Sequence, residues 1–193
     1  MSELTVGQLK GLTVNNNVIT VPSGHTLYAP GSILQVVNVD NVTRGSQGFS
    51  SNVMIDIANL EATITPRRAN SKIIIQARWY GEFNPQGASW DSIFGISRNG
   101  VQVGRQPDPG ATVISGISIS TVSYTADDAN STPEVMHLFT HDFPGSTSPA
   151  TYKVTFIGNP GGTIFTNRTV GWANQVNGHE LGTSSIMLME VAV

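Results

Sequence analysis

The chain has no cysteine. That absence excludes disulfide staples, thiolate catalysis and cysteine-based zinc sites. Charge is scarce as well: 12% of the 193 residues are charged and the net charge is −3. So little charge is unusual for a domain that must stay dispersed alone, and it fits one that covers much of its surface with partners. The ten basic residues are scattered singly except for Arg67 and Arg68. No stripe exists to follow a phosphate backbone, so nucleic acid is not an expected partner. No apolar run approaches the ~18 residues of a membrane span, so membrane insertion is not expected. The first residues lack a basic segment followed by an apolar one, so no export signal is expected. Helical periodicity is missing too. The nearest candidate, Ala126 to Met136, is broken by Pro133 and has no apolar face.

What is present is β chemistry. Twenty glycines stand among abundant Ser, Thr and Asn, the composition of a protein with many turns. Between Leu60 and Phe83, Leu60, Ala62 and Ile64 alternate with polar residues, a Pro66–Ser71 turn cluster follows, and Ile73, Ile75, Ala77 and Trp79 alternate again. This pattern predicts a hairpin of two antiparallel strands, the second central because Ile74 makes it apolar on both faces. The apolar phase flips between Ile57 and Leu60, which predicts a bulge or corner. Asn99-Gly100 between alternating runs predicts a type I′ turn. Val135 to Phe139 is apolar on both faces and is expected to be a central strand. The final Ser184–Val193 is apolar on both faces too, which suggests that one of its faces meets another subunit or another layer, the alternative being a central strand packed on both faces within one chain. About nine or ten strands at regular spacing predict an all-β, antiparallel two-sheet β-sandwich of jelly-roll type. Residues 31–193 form that domain. Residues 1–30, too poor in apolar groups for a core, form an extended N-terminal arm that docks on a neighbour.

Several segments carry a resemblance: Ala29–Val37 (APGSILQVV), Ala62–Pro66 (ATITP), Asn70–Ile75 (NSKIII), Phe94–Gly100 (FGISRNG) and Thr183–Glu190 (TSSIMLME), preceded by Asn17–His25 (NVITVPSGH). In this order they resemble the C-terminal domain of tail-fibre and related virion structural proteins of tailed bacteriophages. The resemblance implies a virion protein assembled in the host cytoplasm, a β-sandwich head and a homotrimer. It brings no catalytic residues and no fixed binding motif. The long shaft and tail-attachment domain of a full fibre are lacking, which implies a distal fibre piece or a small decoration protein.

Candidate sites are few. His137 and His141 share a strand face but lie ~13 Å apart by the rise per residue, too far for one ion, so no metal is expected. Asp127, Asp128 and Glu134 offer carboxylates, but adjacent aspartates in a Ser/Thr/Asn loop are turn formers. No nucleophile elbow is present. Catalytic residues and cofactors are therefore not expected. Trp90, Trp172 and Tyr80 stand beside polar loops and are candidate surface-binding residues, for a host-surface glycan or a protein. Met187, Met189 and Val191 line one face of the last strand and are the candidate oligomer interface. The expectation is a trimeric fibre or fibre-tip protein, anchored to other virion proteins through residues 1–30 and binding the host surface. The alternative is a capsid decoration or cement protein, and a polysaccharide depolymerase is the outsider.

Overall fold

The computed structural model describes residues 13, 21–23, 25, 29–84, 91–106, 115–119, 131–172 and 179–193. Nearly all of the expected arm over residues 1–30 lies outside the described residues, as do Trp90, Asp127 and Asp128. Ten strands follow in chain order: β1 Ile33–Asn41, β2 Gly45–Phe49, β3 Ile55–Ile64, β4 Lys72–Asn84, β5 Asp91–Arg98, β6 Val101–Val103, β7 Glu134–Asp142, β8 Ala150–Asn159, β9 Gly162–Thr166 and β10 Ser184–Val191. There is no helix among them, and two antiparallel sheets pack face to face.

The first sheet runs β1-β10-β4-β9-β2, with β7 on the other side of β4, and the second runs β3-β8-β5-β6. With the short β2 and β9 set aside, β1 pairs β10, β3 pairs β8, β4 pairs β7 and β5 pairs β6. Each of these eight strands thus pairs with its mirror image in chain order. That is the pattern of one long antiparallel ribbon rolled over a core, the jelly roll.

The expected hairpin between Leu60 and Phe83 is corrected by this pairing. β3 belongs to the second sheet and β4 to the first, so residues Thr65–Ser71 carry the chain across the core from one sheet to the other. Alternation reports which face of a strand is buried; it does not report which strand lies alongside. The crossing is held by Glu190, which is fully buried. Its Oε1 accepts bonds from Ser71 Oγ at 2.6 Å and from the backbone N–H groups of Arg67 at 2.8 Å and Arg68 at 3.3 Å, and its Oε2 accepts one from Gln35 Nε2 at 2.6 Å.

Other expectations hold. β4 is central, and β10 has the position its alternative reading gave it, between β1 and β4. The phase flip is a bulge: β3 advances five residues from Asp56 to Glu61 while β8 advances two, from Thr155 to Lys153. Asn59 there has φ 61°, and the Gln47 side chain bonds both Asp56 O and Ala58 N, replacing the lost ladder. Asn99 and Gly100 have φ 49° and 85°, as a type I′ turn requires. The expectation that fails is β7, which pairs β4 alone and is an edge strand. Its Met136 and Leu138 are buried, whereas Val135 and Phe139 are exposed.

The core lies between the sheets. Trp79, Phe83, Phe94, Phe156 and Phe49 form its aromatic centre, with neighbouring ring centroids 4.9 to 6.4 Å apart, the spacing of tilted and edge-to-face pairs. Trp79 Nε1 donates to Thr166 Oγ1 at 3.1 Å, so the one polar atom of that ring is satisfied. At the rim, Tyr152 Oη donates to Asp142 Oδ2 at 2.8 Å, and Arg98 Nη1 bonds the same oxygen at 2.6 Å.

Two outcomes are expected. Glu190→Ala removes the acceptor of four hydrogen bonds, the one from Ser71 fully buried, and should lower unfolding free energy by about 2–3 kcal/mol in urea titrations. The second concerns pH. Burial, and then the bond to Asp142, raise the Tyr152 phenol above its ordinary value of 10.0. The fold favours the neutral phenol, so this contribution is complete below pH ~10 and is lost as the pH climbs further. The Tm of the protein should fall from about pH 10 upward, and Tyr152→Phe should flatten part of that fall.

Candidate functional site

Strand registers place the outward side chains of the first sheet in rows. Val36, Met189, Ile74 and His141 form one row across β1, β10, β4 and β7. Asn38, Met187, Gln76 and Phe139 form the next, and Asp40, Ser185, Arg78 and His137 the third. Val36 is 52% exposed and Phe139 66% exposed, while Met187, Met189 and Ile74 are half-buried. The result is an apolar strip flanked by amides, a hydroxyl, imidazoles, a guanidinium and the Asp40 carboxylate. No described residue is laid across it.

At its polar end the face sinks into an open hollow of about 400 Å³, lined by Asn38, Gln76, Arg78, His137, Phe139, Ser185 and Met187. Arg78 is oriented by Thr183, whose carbonyl and hydroxyl oxygens accept from Nη2 at 2.8 and 2.7 Å. The described lining of the hollow offers apolar contact from Phe139 and Met187 and hydrogen-bonding groups from Asn38, Gln76, Arg78, His137 and Ser185.

The predicted site residues fall as follows. Met187 and Met189 are half-buried on the outward face of this sheet. Val191 shares their phase but is buried. Tyr80 is half-buried and continues the same face of β4, with Gly182 seated on its ring so closely that a Cβ there would come within 2.4 Å. Its outward ring face is therefore covered by the 179–183 segment. Trp90 lies outside the described residues. His137 and His141 are both exposed on the outer face of β7, while Asp142 is turned to Arg98 and Tyr152. Among the described residues no three metal-ligating side chains converge. Glu134 is buried.

Trp172 has unexpected neighbours. Ser46, Phe165 and Glu82 form a row across β2, β9 and β4. Above it, the Arg168 guanidinium carbon lies 4.4 Å from the Phe165 ring centroid and 5.5 Å from that of Trp172, and the Arg44 guanidinium carbon lies 4.7 Å from the Trp172 centroid. Beneath, the buried Glu82 accepts from Thr132 N at 3.0 Å and Thr132 Oγ1 at 2.6 Å, and from Val170 N. It thus fixes the two segments that frame this end of the sheet.

Val36, Arg44 and Arg168 carry no signal in the sequence analysis, and Ile74 and Phe139 enter it only as second apolar faces of their strands. Phe139 had a signal, the double apolar phase of β7, but that pattern was assigned to burial within one chain. The arginines gave none, since Arg44 and Arg168 are far apart in the chain. Scanned against protein-family models and curated proteins, the chain matches none.

The exposed strip should be dispensable for folding. In the dissociated chain Phe139→Ser is expected to change stability by less than about 0.5 kcal/mol, whereas Glu82→Ala, which frees three donors, should cost about 2–3 kcal/mol. Chemical denaturation of the two variants checks the contrast.

Proposed function

We propose that the chain is a self-assembling structural subunit of a tailed-phage particle, a fibre-tip protein that forms a homotrimer and displays its loops to the host surface. The phage assignment rests on the quoted sequence segments. The observation that carries self-assembly is the outer face of the first sheet, where Val36, Ile74, Phe139, Met187 and Met189 stand clear of the rest of the described chain. Such a strip is large for a surface exposed to water, and its content of Met and Phe with few carboxylates is that of an interface core.

The occupant is a second copy of the chain. Four strands at ~4.8 Å spacing and the seven residues from Lys72 to Arg78 at ~3.3 Å rise span roughly 450 Å² in projection. Side chains standing off the sheet raise the accessible area toward the ~800 Å² that each partner of a standard interface buries. The hollow beside Phe139 gives a neighbour's side chain a place to insert, as the centre of a specific interface requires. Around a threefold axis the contact repeats and closes, leaving no unsatisfied copy.

Sedimentation velocity tests this reading. The wild-type chain is expected to sediment as a trimer at micromolar concentration, and the double variant Met187→Glu, Met189→Glu as a folded monomer. Purified trimer should also block phage adsorption to host cells. A wild-type monomer would sink the assembly reading, and a trimer that leaves adsorption untouched while its loss destabilises heads would move the protein to the capsid.

A further inference from the structure

The stack of Phe165, Arg168, Trp172 and Arg44 leaves two guanidinium groups around one indole without a carboxylate partner. The ion pairs among the described residues join Arg98 to Asp142 and Lys153 to Asp56 and Glu61; none involves Arg44 or Arg168. Glu82 is the nearest acid in the electrostatic sense, but its oxygens are taken by Thr132 and Val170. Arg168 makes long bonds only, from Nε to Gly45 O at 3.3 Å and from Nη1 to Thr169 O at 3.3 Å and Val170 O at 3.5 Å. Arg44 is exposed, with its guanidinium over the indole.

An aromatic face holds a guanidinium without using its N–H groups. Arg168, whose Nε and Nη1 already reach backbone carbonyls, keeps Nη2, while the fork of Arg44 is left free. That fork matches an oxyanion with two parallel bonds. Two like charges held near one ring repel, and a bound anion would relieve both. Burial pushes the Arg168 guanidinium down from its ordinary value, and Glu82 restores it in part, so Arg168 too lacks full compensation. Because the rings already fix the side chains, little rotamer entropy remains to be lost on binding.

We infer that Arg44, Trp172 and Arg168 form a binding site for an acidic saccharide, taken by the carboxylate or sulfate oxygens it carries. The inference rests on the surface-display reading above and gives it a ligand class. The site lies beyond Tyr80 on the first sheet, away from the Met187–Met189 strip, so assembly and ligand binding do not compete for the same residues.

Calorimetric titration of the full chain at low salt provides the test, with polygalacturonate for the carboxylate, heparin for the sulfate ester, dextran as the neutral control and single-stranded DNA as a plain polyanion. One or both acidic saccharides should bind, with dextran silent, DNA weaker and affinity falling as salt rises. Arg44→Ala should weaken binding about tenfold or more through loss of a charge-assisted fork, and Arg44→Lys should also weaken it because the stacked fork is lost. Arg67→Ala, at the distant β3–β4 crossing, should change nothing. The inference is overturned if no acidic saccharide binds, if dextran or DNA binds as tightly, if Arg44→Lys binds like wild type, or if Arg67→Ala loses as much as Arg44→Ala. Running the titration beside sedimentation of the same wild-type chain separates the two readings: a wild-type monomer that still binds leaves this site standing while the assembly falls, and a trimer that binds no acidic saccharide leaves the assembly standing while this site falls.

Discussion

One buried carboxylate makes the two-sheet arrangement possible. A chain that leaves β3 in one sheet and enters β4 in the other must carry backbone N–H groups across the end of the core, where no ladder satisfies them. Glu190 supplies the acceptors. Its two oxygens take four donors, from Arg67, Arg68, Ser71 and Gln35, which is about the capacity of a carboxylate. Because Glu190 belongs to β10, Gln35 to β1 and the others to the crossing, one side chain couples the first strand, the last strand and the crossing between the sheets. A Gln at this position presents one oxygen and an amide donor, so it cannot reproduce the set.

Glu82 repeats the device at the other end of β4. Each of its oxygens accepts from a segment that would otherwise end loosely, 131–133 on one side and 168–170 on the other. Asn167 completes this end. At φ 62°, it takes Ser184 Oγ at 2.7 Å on its amide oxygen and gives its amide N–H groups to Asn41 O at 2.8 Å and Thr43 O at 2.9 Å. The covering segments are therefore anchored above Tyr80. On the face below it, Met187 and Met189 are half-buried beside the exposed Val36 and Phe139.

Much of this was legible in the chain. The Ile57–Leu60 flip became the β3 bulge, Asn99-Gly100 became a turn with both residues at positive φ, and the doubly apolar last strand became a central one. What failed did so for one physical reason: alternation is local and pairing is not. The Leu60–Phe83 pattern is the same whether its halves bond to each other or, as here, to strands far along the chain. The doubly apolar β7 suggested two covered faces, yet Phe139 is open. β2, with Phe49 as its single buried apolar residue, is specified by its backbone pairing with β9 and has no pattern to read. For the same reason Met187–Met189, Ile74 and Phe139 are each legible as a second apolar face of one strand, but not as neighbours in one strip with Val36, and the Arg44–Trp172 contact joins segments that no local window spans.

The two outer faces of the sandwich differ in a way that bears on its orientation in an assembly. On the second sheet, Lys153 bonds Glu61 at 3.0 Å and Asp56 at 3.4 Å, and Thr63 bonds Thr151 at 2.8 Å. Exposed pairs of this kind add little stability, but they keep a sheet face hydrated and unattractive to other chains. The first sheet has no equivalent over Val36, Ile74, Met187 and Met189. A monomer would gain nothing from that asymmetry, since both faces would meet water alike. A subunit that packs by one sheet and shows the other to solvent would need it, and the stacked arginines beyond Tyr80 then fall at the margin of the packed face, where a ligand can still reach them.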